Sequence, residues 1–192
     1  MLISGITNCG KTHFVLDLIE KEYIHKFDYI IIICPTYMEN KTYSRKFMYC
    51  DNDVIPLALE ENLNHILRVI IDKYKDIKEQ TLIVIDDCAN LHDVKLKATA
   101  LTELAFHGRH KNLSTWVITQ KYNAIVKDFR ANIGMLVMFY DKDRESREDA
   151  FKENDIGISA DEKASIVKTL TNNKNSKLVM RLFQPFDYVV FS

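Results

Sequence analysis

Apolar residues along this chain fall into short unbroken runs that alternate with longer amphipathic stretches. Met1–Ser4 is a brief apolar run closed by Gly5, and Tyr29–Cys34, Thr81–Ile85, Ser114–Ile118 and Gly134–Tyr140 are further runs of strand length. An unbroken apolar run predicts a strand covered on both faces, because a half-solvated strand alternates with polar residues. Between these runs the period changes to that of a helix. Over Thr12–Lys26, Phe14, Leu18 and Ile19 recur at helical spacing and Val15 and Leu16 widen the stripe. Over Ala58–Tyr74 the stripe is Leu59, Leu63, Ile66, Leu67, Ile70 and Ile71. Leu96–Phe106 and Ala160–Leu170 read as helices as well, the first ended by Gly108.

Residues 36–57 are polar and aromatic with no clear period and predict no element. Residues 141–155 are dense in both charge signs and read as a solvated helix. Lys177–Phe183 and Tyr188–Phe191 look like late strands of a terminal hairpin around Gln184–Asp187. The alternation predicts an α/β fold with a mainly parallel central sheet flanked by helices, followed by C-terminal helices and a late β-hairpin. No repeat, low-complexity tract or linker interrupts it, so residues 1–192 read as a single domain.

Composition narrows the classes of partner. Of 192 residues, 47% are hydrophobic and 28% charged, and the formal net charge is −1. A near-neutral chain has no overall basic field for nucleic acid, so any DNA contact has to come from a local patch. The four cysteines, at 9, 34, 50 and 88, form no CxxC knuckle and follow no secretory segment, which predicts free thiols in a reducing, intracellular compartment. The Tyr29–Cys34 run is far too short to cross a bilayer.

The chemistry starts at residues 5–12, Gly5-Ile-Thr-Asn-Cys-Gly-Lys-Thr12, a full G-x-x-x-x-G-K-[ST] phosphate loop between a short strand and a helix. Gly5 and Gly10 let the backbone turn tightly and approach phosphate oxygens without a Cβ in the way. The amides of the loop, Thr7, Asn8 and Cys9 included, then face inward as an anion nest, and the helix entered at Lys11, Thr12 and His13 adds the positive end of its dipole. Lys11 is expected to reach the β- and γ-phosphates, and the Thr12 hydroxyl to ligate Mg²⁺. A strand that ends in two acids, Thr81-Leu-Ile-Val-Ile-Asp-Asp87, supplies the matching metal-side motif. Asp86 is expected on the Mg²⁺ shell, and Asp87 near the γ-phosphate, where it can polarise a water. A helix N-cap is the plain alternative for Asp87.

Ser114-Thr-Trp-Val-Ile-Thr-Gln120 is a strand ending in a polar pair. Placed between the loop strand and the acidic strand, it would bring the Gln120 amide to the γ-phosphate, while an ordinary turn residue remains the alternative. Arg109, in His107-Gly-Arg-His-Lys111, and Arg130, in Asp128-Phe-Arg-Ala-Asn132, could each reach a neighbouring subunit's γ-phosphate. Their plain readings are a helix-end cation and a surface salt bridge. His107 and His110 lack further metal ligands and read as part of a solvated basic patch.

Gly5–Thr12, Leu82–Asp87, Gly108-Arg-His110, Val117–Gln120 and Phe129–Asn132 come in this order, and together they resemble the poxvirus-type genome-packaging ATPases of large DNA viruses and virus-like mobile elements, within the FtsK/HerA group. The resemblance covers roughly residues 1–140. It implies a RecA-like P-loop core that assembles as a homo-oligomeric ring of five or six subunits. It also implies hydrolysis of ATP with Mg²⁺ coupled to translocation of double-stranded DNA, contacts with capsid or portal components, and residence in host cytoplasm, virus factory or virion. By the same resemblance Asp87 is the base, Gln120 reports the γ-phosphate, and Arg130 or Arg109 acts between subunits. The sequence starts directly at the loop strand, which suits a minimal or an incomplete member of that family. A small nucleoside or nucleotide kinase with the same loop is the alternative enzyme. Arg144 and Arg147 would be its lid, although equally many acids surround them. A scaffold that binds nucleotide without hydrolysing it is the non-enzymatic one.

Overall fold

The structure is a computed structural model that describes residues 1–37, 42–43, 53–57, 63–88 and 99–192. Its strands are β1 (Leu2–Ser4), β2 (Tyr29–Ile33), β3 (Asp53–Leu57), β4 (Thr81–Asp86), β5 (Leu113–Thr119), β6 (Met135–Phe139), β7 (Lys177–Arg181) and β8 (Asp187–Phe191). They form one sheet in the order β3-β2-β4-β5-β1-β6-β7-β8. The strands from β3 to β6 in that order are parallel, and β7 and β8 add antiparallel. β1 is short but central. It is paired with β5 on one side and β6 on the other, and Leu2 and Ile3 are fully buried.

The unbroken apolar runs are explained by two cores. Ile3, Ile30, Ile32, Leu82, Val84, Trp116, Ile118 and Val137 face one side of the sheet, and Leu2, Ile31, Ile33, Ile83, Ile85, Val117, Leu136 and Met138 face the other. The first side is covered by α1 (Lys11–Leu18) through Val15 and Leu16. α1 is shorter than the expected Thr12–Lys26 and continues as a π-helical turn, Ile19–Tyr23. The wider turn lays Tyr23 over the sheet, stacked on Phe27 and edge-on to Trp116 at 5.1 Å. The second core is filled from α2 (Leu63–Tyr74), α3 (Thr99–His107), α4 (Lys127–Ala131), α5 (Arg144–Glu153) and α6 (Ala160–Asn172).

Three expectations change. β3 falls in the stretch that predicted no element. Among the described residues it pairs with β2 alone, as an edge strand, where Pro56 removes no shared ladder bond that a second neighbour would need. α5 is not a purely solvated helix, since Ser146, Ala150 and Phe151 are buried and the Ser146 hydroxyl accepts from the Tyr122 amide. Gly108 does not stop α3 with a left-handed residue. A 3₁₀ turn, Gly108–Lys111, follows, and Asn112 takes the positive φ of 55°. What Gly108 supplies is room, because a Cβ there would lie 2.8 Å from the Leu113 carbonyl oxygen. The amino-terminal parts expected for α2 (58–62) and α3 (96–98), and Cys50, lie outside the described residues. Cys9, Cys34 and Cys88 are free and buried.

Gly108→Ala is expected to destabilise the fold by about 1–3 kcal/mol, because the obstructing atom is backbone and cannot swing aside. Urea unfolding at equilibrium reads this directly, as a lowered midpoint with an unchanged slope.

Candidate nucleotide-binding site

The carboxyl ends of the parallel strands meet at one edge of the sheet, and the loop after β1 crosses that edge. Gly5 is required by contact: a Cβ there would stand 2.6 Å from the Phe139 Cβ and 3.0 Å from the Cys9 sulfur. Asn8 and Gly10 carry positive φ of 62° and 96°, so the loop turns twice through the left-handed region before the Phe14 amide donates to the Gly10 carbonyl at 2.9 Å and the helix begins. The Ile6 amide donates to the Tyr140 carbonyl at 3.0 Å and ties the loop to the end of β6.

Lys11 is buried beneath this loop. Its ammonium donates to the Gly5 and Ile6 carbonyls, each at 2.8 Å, and its third proton faces the Cys9 sulfur at 3.8 Å. A thiol is a weak acceptor, so this third donor is the one a phosphate oxygen can take. Burial pushes the Cys9 thiol up despite the Lys11 charge, so Cys9 is neutral packing rather than a nucleophile.

Asp86 ends β4 at 4% exposure. Its Oδ2 accepts from the Thr12 hydroxyl at 2.9 Å and from the Tyr43 hydroxyl at 2.5 Å. Burial holds the Asp86 carboxyl above the ordinary carboxylate range, against the pull of those two bonds. Asp87 stands at φ 52°, which short polar side chains tolerate best, and its Oδ1 accepts from the Gln120 side-chain amide at 3.0 Å. Gln120 is held there because β5 runs between β4 and β1. A cavity of about 160 Å³ brings Thr7, Asn8, Lys11 and Thr12 together with Asp86, Asp87 and Gln120. Thr36 lines it too.

Two residues of this site had no signal in the sequence. Tyr43 and Thr36 both lie in the stretch without periodicity, and only the fold brings them to Asp86 and the cavity. His13 lies outside the cavity. It is exposed, pairs with Asp17 at 3.2 Å, and lines a second cleft with Cys9 and Gly10.

The two arginines are placed differently. Arg130 is turned inward. Its guanidinium donates to the Asn123 side chain at 2.8 Å, pairs with Glu153 at 3.2 Å and lies 4.7 Å over the Tyr122 ring. This arrangement does not leave it free to act on a neighbour, and it is not the surface salt bridge of the plain reading, because its side chain is 10% exposed. Arg109 is exposed in the 3₁₀ turn before β5, at the amino end of the sheet. The length of a strand, roughly 20 Å, separates it from its own phosphate loop. Arg144 pairs with Glu148 at 2.6 Å on the exposed face of α5, and Arg147 donates to the Asp141 carbonyl. Among the described residues no cluster of three or more His, Cys, Asp and Glu side chains is placed to hold a metal, and His107 and His110 are exposed. The Thr12 hydroxyl and the Asp86 carboxylate nevertheless fit Mg²⁺, which takes one or two hard protein oxygens and completes its shell with phosphate and water.

The chain belongs to the poxvirus A32 protein family, whose model matches residues 1–184. No curated protein sequence matches it significantly. Among solved structures it is similar to the genome-packaging NTPase B204 of Sulfolobus turreted icosahedral virus 2 in complex with ATPγS, at 20% identity and a TM-score of 0.67, over 100% of this chain and 95% of that one. It is also similar to B204, the DNA-packaging ATPase of Sulfolobus turreted icosahedral virus, at 16% identity and a TM-score of 0.71, over the same shares. A third likeness is to the cytoplasmic domain of the Thermomonospora curvata type VII secretion ATPase EccC, at 11% identity and a TM-score of 0.66, over 100% of this chain and 25% of that one. Family, fold and loop together make the chain a P-loop ATPase of the packaging class. No described helix is long and apolar enough to cross a membrane.

The Asp86 environment has a pH signature. The folded chain keeps the Asp86 proton to a higher pH than the unfolded chain does, so between the two pKa values it binds more protons. This group therefore makes stability fall as pH rises from about 4, the unfolded carboxylate value. Asp86→Asn removes the titration, and the nucleotide-free variant in chelator is expected to gain on the native chain as pH rises through that window. A difference in melting temperature that stays flat with pH contradicts the buried-carboxylate account. Arg130→Ala is expected to cost about 1–3 kcal/mol, because it removes the charged hydrogen bond to Asn123 and the packing on Tyr122, while the half-open Glu153 keeps water and the Tyr122 hydroxyl as partners. Chemical denaturation measures it, and a neutral result would mean that the guanidinium is not held internally.

Proposed function

We propose that the protein hydrolyses ATP at this site and couples hydrolysis to translocation of double-stranded DNA, as the motor of viral genome packaging. The observation that carries the reading is the Asp87–Gln120 pair, 3.0 Å apart, facing Lys11 and the Thr12–Asp86 pair across one cavity. The loop amides and Lys11 hold the phosphates, and the third Lys11 N–H exchanges the Cys9 sulfur for a phosphate oxygen as its acceptor. Thr12 and Asp86 would hold Mg²⁺, which would supply neutralisation of phosphate charge when bound. Asp87 orients a water and takes its proton as the water oxygen bonds to the γ-phosphorus. The bond from that phosphorus to the bridging oxygen breaks, and ADP carries away the bond's electrons. Gln120 fixes Asp87 and offers its amide to the γ-phosphate, so loss of that phosphate is felt at the end of β5.

Assembly as a homo-oligomeric ring of five or six subunits is part of the same proposal. An open cleft of about 570 Å³ borders the cavity at Ile6, Thr7, Gln120 and Lys121, and leaves the γ-phosphate side accessible to a neighbour. Arg109, too far from its own loop, is the arginine proposed to enter it in trans. The duplex would thread the ring and capsid or portal components would dock on it, in host cytoplasm, virus factory or virion.

Turnover with and without duplex DNA tests this. Lys11→Ala is expected to abolish hydrolysis. Asp87→Asn keeps an oxygen for Gln120 and suits the left-handed backbone, so it should bind ATP normally while kcat falls about 10²–10⁴-fold. Arg109→Ala should lose DNA-stimulated turnover and regain it when mixed with Lys11→Ala subunits. A strictly monomeric enzyme whose turnover ignores DNA contradicts the motor.

A further inference from the structure

The phosphate loop has two open sides. On one, Asp86, Asp87 and Gln120 mark where a terminal phosphate lies. On the other, Cys9 and Gly10 border a second cleft of about 350 Å³, in the lower part of the roughly 300–1,000 Å³ usual for small-molecule sites. A triphosphate whose γ end lies against Asp87 runs its remaining phosphates along the loop toward the start of α1. Its nucleoside then leaves on this second side.

The cleft is furnished by two distant parts of the chain. From α1 come His13 and Phe14, and Phe14 meets Phe139 of β6 edge-on at 6.1 Å. From the C-terminal segment come Asn175, in the turn after α6, and Lys177, the first residue of β7. The Asn175 side-chain oxygen lies 3.5 Å from where a Cβ on Gly10 would stand, so this amide overhangs the loop itself. The Lys177 ammonium sits 5.3 Å from the ring centre of Phe14, 5.9 Å from that of Phe139 and 5.2 Å from that of Phe191. Three ring faces fix a flexible amine at the wall of the cleft.

We infer that this cleft is the nucleoside subsite. The Phe14 ring is its apolar wall for the base, the Asn175 amide hydrogen-bonds the polar edge of the nucleoside, and Lys177 is its positioned cation. The inference rests on the reading of Asp87 and Gln120 as the γ-phosphate end. It makes the C-terminal hairpin part of the substrate site and places discrimination between a nucleoside triphosphate and a bare polyphosphate on Asn175 and Lys177.

Calorimetric titration of the full chain with ATP and with inorganic tripolyphosphate, both with Mg²⁺, tests it. Asn175→Ala and Lys177→Gln are each expected to weaken ATP about tenfold and to leave tripolyphosphate within about twofold, whereas Lys11→Ala weakens both. Asn175 is exposed, so its variant carries the test if Lys177→Gln does not fold. Hairpin variants that bind ATP like the native chain, or that lose both ligands equally, overturn the nucleoside assignment while the phosphate reading stands. A Lys11→Ala protein that still binds both ligands overturns that reading and the inference with it.

Discussion

The site depends on one hydrogen bond, from the Thr12 hydroxyl to Asp86 at 2.9 Å. It joins the loop after β1 to the end of β4, and β5 lies between those two strands. The bond can form only if the loop reaches across the end of β5, and whatever residue ends β5 then sits beneath it. That residue region carries Gln120, whose amide meets Asp87. The strand order thus puts Lys11, Thr12, Asp86, Asp87 and Gln120 around one small cavity. Burial of both sheet faces holds the order, because a central strand as short as β1 survives only with a ladder on each side and apolar cover above and below.

What the sequence shows of this site is what is local in it. Gly5 to Thr12 is one contiguous turn, Asp86 and Asp87 end one apolar run, and Gln120 ends another, so covalent neighbours announce each of them. Tyr43 and Thr36 touch the site only through the fold, and nothing near them in the chain marks them out. Arg130 shows the converse. Its position before a strand is legible, but its commitment to Asn123, Glu153 and Tyr122 depends on how α4, α5 and the turn after β5 pack. β3 was hidden for a related reason: a strand with a single neighbour can contain a proline, and so lacks the unbroken apolar run that marks its neighbours. The hairpin was visible as two strands, but its meeting with the loop at Asn175 and Lys177 was not.

Elsewhere the chain follows local rules closely. Asp143 caps α5 by accepting from the Ser146 amide, and Ser159 and Glu162 form a complete capping box at the start of α6. At the carboxyl edge of the sheet those rules are broken together. A carboxylate is buried with hydroxyls rather than a cation for partners, a lysine spends its third donor on a thiol, and an aspartate stands in the left-handed region. The first two concern groups that a bound phosphate or hard cation would satisfy, and the third is backbone strain at a residue that lines the same cavity. A cation placed directly against Asp86, closer than Lys11, would relieve the burial of this carboxyl but would fill the space beside Thr12 and Asp86 where Mg²⁺ fits. A phosphate oxygen on the third Lys11 donor and a hard cation at Asp86 would relieve both groups at once, at the junction of β1, β4 and β5.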